Sequence, residues 1–190
     1  QILPLNPVGY GNSPYQPYSS CAGDDIYISL DILAEEGLLK KSPMLFLEKC
    51  KKVDYERVRQ YREPYLRAAF MAFVEQKGYE KPEYKEFAAQ SWVYEYGVFR
   101  ALKKANNGAC WNEWPEEDRT WPENRHVLDT EAEAEARYQM FLQYIFYTQW
   151  MKVKKAANEA GIQIMGDVPF YVGQDSVDVW GGKDNFLLDT

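Results

Sequence analysis

Residues 129–160 keep helical spacing for longer than any other part of the chain, so they constrain the fold most. Ala134, Tyr138, Phe141, Leu142, Ile145, Phe146, Gln149 and Val153 recur at i, i+3, i+4 and i+7 intervals, which puts them on one face of a single helix. Asp129 or Thr130 can cap its start. Glu131, Glu133 and Glu135 sit at the beginning and Lys152, Lys154 and Lys155 near the end, so both sets complement the helix dipole. At about 1.5 Å per residue the helix would be roughly 45 Å long, enough to cross a large domain. Gly161 is placed to stop it. The apolar stretch Ile162–Phe170 follows at once, and a helix, a glycine stop and a short apolar strand are half of a βαβ unit.

The other end of the chain matches this. Gln1-Ile2-Leu3-Pro4-Leu5 reads as the tail of a buried strand, and residues 6–24 are dense in Gly, Pro, Asn and Ser, hence coil. Residues 26–30 read as a short strand or extended segment. From about Ile32 to Ala157 the pattern is helical. Asp31 can cap a helix over Ile32–Glu36 that stops at Gly37, and a second helix starts near Asp54. Pro64 should break or restart it, because proline removes a donor and clashes with the preceding turn. Leu66, Ala69, Phe70, Phe73 and Val74 carry the spacing to Gly78. Pro82 opens a helix through Phe87, Trp92, Tyr96, Phe99 and Leu102 that ends at Asn106-Asn107-Gly108. Residues 109–125 form a tryptophan-rich loop with two Trp-Pro pairs. It reads either as a rigid loop pinned by buried indoles or as a platform for sugar faces. The chain is therefore expected to be α/β, with barrel or sheet strands at its ends and a helical insertion between them. The parts are residues 1–31, 32–128 and 129–190. There is no internal repeat.

Charge removes whole classes of function. With 22 Lys plus Arg against 29 Asp plus Glu, the net charge of −7 offers no footprint for nucleic acid or an anionic membrane. No run approaches the roughly 18 apolar residues of a membrane span. Cys21, Cys50 and Cys110 are an odd number without CxxC spacing, and His126 is the single histidine. A disulfide framework, a zinc site and a Ser-His-Asp triad are thus not indicated, and no metal is expected. The cysteines read as small buried hydrophobes, His126 as a surface or packing residue, and Lys49, Lys51 and Lys52 as a solvated face. A reduced, cytoplasmic protein is the expectation. The aromatic content of 16% suits both cores and carbohydrate faces.

In a parallel barrel, functional side chains lie at the C-terminal ends of strands. Asp167 occupies such a place, after Gly166, which permits close approach. Asp175 and Asp178, near Trp180, could bond sugar hydroxyls or cap and charge a helix start. Tyr10, Tyr15 and Tyr18 crowd the opening loop on backbone shaped by Gly9, Gly11, Pro14 and Pro17.

The stretch Leu3-Pro4-Leu5-Asn6-Pro7-Val8-Gly9-Tyr10-Gly11-Asn12-Ser13-Pro14-Tyr15-Gln16 resembles the signature loop of the 4-α-glucanotransferases, the amylomaltase or disproportionating-enzyme family. Residues 161–172, Asp175–Trp180 and Phe186–Asp189 resemble a second block, with Asn112–Pro115 and Phe146–Trp150 between. The resemblance covers essentially the whole chain. It implies a (β/α)8 TIM barrel with helical insertions, of which this chain would be a part. It also implies retaining transfer between α-1,4-glucans, or malto-oligosaccharides, through a carboxylate nucleophile and a second carboxylic acid, without cofactor. By it, Tyr15 packs against the sugar at the cleavage site, Asp167 binds the donor, Tyr10 contacts glucan, and Ser13 and Gln16 support the loop. Asn12 stands where the family often has Asp, and Asp24 where it often has Asn. The family's Arg-Ile-Asp-His-type nucleophile motif and its Glu-bearing acid/base motif do not occur in these residues, so the chain alone is expected to be inactive. A non-catalytic glucan-binding or structural helical module is the competing reading. Strands lacking partners expose backbone donors and acceptors, so the isolated chain is expected to oligomerise.

Overall fold

The computed structural model describes residues 1–42, 51–169 and 171–188. Its described helices are α1 (Leu30–Glu35), α2 (Tyr55–Glu75), α3 (Pro82–Ala88), α4 (Ser91–Ala105), α5 (Glu116–Arg119), α6 (Trp121–Asn124), α7 (Thr130–Glu159) and α8 (Val177–Gly181). The long helix runs for 30 residues. The Asp129 carboxylate caps it by accepting from Ala132 N at 2.7 Å, and Gly161 leaves it in the left-handed region at φ 75°. Tyr138, Phe141, Leu142, Ile145 and Gln149 are buried, whereas Ala134 and Val153, on the same expected stripe, are exposed. A stripe is buried only where another element lies over it. Ala132 and Ala136 face α4 instead, and Gly97 of α4 makes the approach possible. A Cβ there would sit 2.8 Å from the Ala136 carbonyl oxygen.

Three helix boundaries differ from expectation. Ser29, not Asp31, caps α1, its hydroxyl accepting from Ile32 N at 3.3 Å. α2 continues through Pro64 for 21 residues without interruption. Pro64 and Gln60, whose carbonyl loses its partner, both lie on the exposed side, so water can satisfy that carbonyl, while Arg62, Leu66 and Ala69 anchor the opposite face. The single helix expected from Pro82 to Leu102 is two, parted at Ala89–Gln90. Asn107 and Gly108 both take positive φ after α4.

Two clusters form the core. The first gathers Ile28, Leu33, Leu66, Phe73, Tyr84 and the middle of α7. The second gathers Val98, Phe99 and Leu102 of α4 with Trp111, Trp114, Trp121, Ala136 and Trp180. All three tryptophans of the 109–125 segment are buried, with their indole N–H groups donating to the carbonyls of Gln174, Ala109 and His126. A ring removed from solvent and hydrogen-bonded inward offers no face to a sugar, so the pinned-loop alternative holds.

The expected α/β character is not seen as strands. Among the described residues there is only an isolated antiparallel bridge, Val8 with Pro17. The segments 1–5 and 162–169 are extended but unassigned, and Phe170 lies outside the described residues. Ile2 N donates to Met165 O at 2.9 Å, one rung between the two expected strands. A strand pair needs successive rungs, and these segments share one, so neither is assigned as a strand. Residues 25–27 form a 3-10 turn leading into α1, not a strand. Cys21 is exposed and Cys110 half-buried, against the expectation of buried thiols, because both sit on loops and only Cys110 packs against the second cluster. Cys50 and Lys49 lie outside the described residues. Lys51 and Lys52 are exposed.

Candidate functional site

The opening loop is built as a closed frame. Tyr18 N donates to Pro7 O at 2.9 Å beside the Val8–Pro17 bridge, and the Asn6 side-chain amide donates to Ser20 O and Ala22 O, both at 3.0 Å. At its tip Gly11 and Asn12 take positive φ, a conformation glycine and asparagine tolerate best. Ser13 then ties the turn, its hydroxyl accepting from Tyr15 N at 3.3 Å and its carbonyl from Gln16 N at 3.3 Å. Tyr10 opens this turn, and its side chain lies outside the described set.

That frame is fastened to the long helix by two glutamines acting alike. Gln143 accepts from Gly23 N at 2.8 Å and donates to Gly23 O at 3.0 Å. Gln149 accepts from Ser29 N at 2.7 Å and donates to Ser29 O at 3.2 Å. A primary amide offers one donor and one acceptor in the geometry of a peptide, so each glutamine completes a backbone pair that no strand supplies. Gly23 has no room for a side chain, since a Cβ would lie 2.0 Å from the Phe146 ring.

Residues far apart in sequence then meet. The Tyr15 hydroxyl donates to Asp167 Oδ2 at 2.9 Å, and Asp167 Oδ1 accepts from Val168 N at 2.9 Å. Both side chains are half-buried. The Tyr15 phenol is pushed above its ordinary range, first by its hydrogen bond to Asp167, then by burial and by that carboxylate's charge. The pair thus presents a protonated phenol and a carboxylate side by side at a partly open surface. Such a pair can orient a polyhydroxylated ligand, the carboxylate accepting from hydroxyls and the ring covering an apolar sugar face.

Asp175 and Asp178 serve structure. Asp175 accepts from Lys103 Nζ at 2.5 Å and from Trp111 N at 3.3 Å, and Asp178 accepts from Ser20 N at 2.9 Å and from the Ser20 hydroxyl. Ser176 caps α8 between them. His126 Nε2 sits 3.6 Å from Glu117 at the surface.

Asp24, noted only as a departure, is the buried hub of the loop. Its carboxylate accepts from Arg59 at 2.6 and 2.8 Å, from Ile26 N at 3.0 Å and from Val8 N at 3.3 Å. Burial works to raise its pKa, but the hydrogen bonds and charge of Arg59 outweigh it and hold the carboxyl below the usual range. Asp25, 3.0 Å from Arg59, is raised instead, by burial and by the Asp24 charge. Sequence spacing could not join Asp24 to Arg59, because only the packing of α2 on the loop brings them together.

The sign of the pH response follows. The Asp24–Arg59 contribution is complete above the ordinary Asp value of about 3.9 and is lost as pH falls through the lower folded value, while Asp25 acts in the opposite sense. Arg59→Met removes the cation that hydrogen-bonds both carboxyls and leaves only the longer-range charges of Arg62 and Arg100 beside them. It should cost about 2 kcal/mol at pH 7, less than a fully buried pair because the Arg59 side chain keeps 28% exposure. Protonation relieves those carboxyls, so the deficit should shrink as pH falls from about 6 to 4. Urea unfolding at both pH values checks this, and an equal deficit at each would contradict it.

A family model described as 4-alpha-glucanotransferase matches residues 1–190. A 4-alpha-glucanotransferase of Synechocystis is 40% identical over the whole of this chain and 39% of its own length. One of Thermus thermophilus is 38% identical, again over the whole chain and 38% of its own length. Among solved structures, the amylomaltase of Streptococcus agalactiae in complex with acarbose superposes with a TM-score of 0.85 at 31% identity, covering 99% of this chain and 39% of that one. The chain thus spans about two fifths of the relatives it matches.

Proposed function

The chain belongs to the 4-alpha-glucanotransferase family, and on that premise we propose that the protein it forms part of moves α-1,4-glucan segments between malto-oligosaccharides by a retaining double displacement. The observation that carries this reading is the Tyr15–Asp167 contact, which unites the two blocks of family resemblance at one partly open surface. Tyr15 and Asp167 bind the donor sugar there, Ser13 holds the turn that aims Tyr15, and Tyr10 adds a glucan contact. The acarbose bound by the amylomaltase relative supports a malto-oligosaccharide ligand. The single rung between Ile2 and Met165 supports residues 1–31 and 129–190 as pieces of a (β/α)8 barrel, with 32–128 as its helical insertion. The protein works in the cytoplasm. No described helix is long and apolar enough to cross a membrane.

No catalytic residue is assigned within these residues, since neither family motif for the nucleophile or the acid/base occurs among them. The test is a maltotriose disproportionation assay on this chain beside the full-length protein. Glucose and a ladder of longer glucans from the full-length protein alone are the expected result. A ladder from the chain alone would show that catalytic carboxylates lie within it. No product from either would leave the alternative of a non-catalytic glucan-binding module.

A further inference from the structure

A polar cavity of about 330 Å3 lies between α2, α4, α7 and the opening loop, and neither Tyr15 nor Asp167 lines it. Tyr96, Arg100, Lys103 and Lys104 line it from one face of α4, and Tyr18 from the loop. Its carboxylates are already engaged. Glu135 accepts from Arg67, Lys104 and Gln139, Glu63 accepts from Arg67 and from the Tyr138 hydroxyl, and Asp25 is held by Arg59. Lys103 is held by Asp175 and Ala109 O.

Three donors are left over. Among the described residues Arg100 makes no hydrogen bond, and its charge is shared at longer range with Asp25, which already meets Arg59. Its guanidinium lies 5.2 Å from the Tyr18 ring centroid, and Lys103 Nζ lies 5.1 Å from the same ring. The hydroxyls of Tyr18 and Tyr96 likewise have no partner among the described residues. Burial pushes the Tyr96 phenol up to about 12, so it remains a donor at neutral pH. A cavity whose carboxylates each already meet a cation, and whose arginine and phenols make no hydrogen bond, favours a ligand rich in acceptors and negative in charge. Arginine matches the oxygens of a tetrahedral anion through its planar fork.

We propose that this cavity binds a small phosphate-bearing ligand, with Arg100 as its anchoring cation and the Tyr18 and Tyr96 hydroxyls as neutral donors. The space exceeds what a bare phosphate fills, so a phosphate monoester of a sugar is the better fit. The site does not depend on glucan transfer for its argument. It does share Tyr18 with the opening loop, three residues from Tyr15, so occupancy would brace the frame that carries Tyr15.

Isothermal titration calorimetry of the full-length protein tests this with inorganic phosphate, glucose 6-phosphate and uncharged maltose as probes. Glucose 6-phosphate is expected to bind with a Kd below about 1 mM. Arg100→Gln should weaken it at least about tenfold, and Arg100→Lys less, since lysine keeps the charge without the fork. Tyr96→Phe removes one oxygen and no charge. It should weaken binding by about two- to tenfold while leaving the thermal midpoint near that of the parent, which keeps the test valid if Arg100→Gln fails to fold. Phosphate binding as tightly as glucose 6-phosphate, and still dependent on Arg100, would assign the site to the free oxyanion. No heat with either phosphate probe up to about 10 mM would overturn the proposal. So would affinities unmoved by both substitutions, or a maltose affinity that Arg100→Gln weakens as much as that of glucose 6-phosphate.

Discussion

Asp167→Asn in the full-length protein is expected to lower kcat/KM for maltotriose disproportionation by about a hundredfold. The carboxylate spends one lone pair on the Tyr15 hydroxyl and one on Val168 N, which leaves further acceptor positions toward the partly open surface. Hydrogen bonds to an ionised acceptor are roughly twice as strong as neutral ones. Asparagine removes the charge and turns half of the acceptor surface into a donor. The substitution should barely move the melting temperature, because the pair is half-buried and lies outside both core clusters. Tyr15→Phe keeps the ring that would cover the sugar and loses only the hydroxyl, so it should cost less, about tenfold. Steady-state rates on purified variants decide the matter. Activity of Asp167→Asn within about twofold of the parent would remove Asp167 from donor binding.

Trp180→Ala should destabilise the protein by about 3–5 kcal/mol, a large share of the 5–15 kcal/mol that domains ordinarily possess. The ring is fully buried and stacks on Trp121 with centroids 5.7 Å apart and planes 11° from parallel. It also meets Phe99 at 5.6 Å and Trp114 at 5.9 Å, and its N–H donates to Asp118 O at 3.2 Å. Truncation would open a void among rigid rings that cannot collapse into it, and leave the Asp118 carbonyl short of a donor. The loss should reach the opening loop as well, because α8 holds Asp178 against Ser20. Trp180→Phe retains most of the apolar volume and should lose less. Urea unfolding followed by circular dichroism measures both. A Trp180→Ala midpoint equal to that of Trp180→Phe would contradict this account of the cluster.

Much of the helical architecture was legible because its signals are local. Asp54 and Asp129 cap α2 and α7, Pro82 opens α3, and Gly161 ends α7. Each works through contacts within a few residues of itself. Expectation and structure part where the deciding partner is distant in sequence. Pro64 looked like a break, yet α2 passes through it because its buried face is anchored on both sides. Ala134 and Val153 kept the right spacing without anything above them.

The site divides in the same way. The resemblance of two blocks singled out Tyr15, Asp167, Ser13 and Tyr10, but no spacing rule could bring Tyr15 to Asp167 across 152 residues. Asp24 read as a fine departure and proved to be the buried centre of the loop. Gln143 carried no signal at all, since a glutamine that mimics a peptide is visible only once its backbone partner is in place.

By itself, then, the sequence determined the family, the caps, the long helix and the acidic surface. These depend on residue identity and on interactions within about a turn or two of chain. Tertiary structure alone decided which stripe is buried, which carboxylates are paired, and which donors face an open cavity. Those outcomes rest on desolvation and on partners brought together by packing. A carboxylate such as Asp24 has no fixed role until its neighbours are placed, because its charge is costly when buried alone and stabilising when met by Arg59.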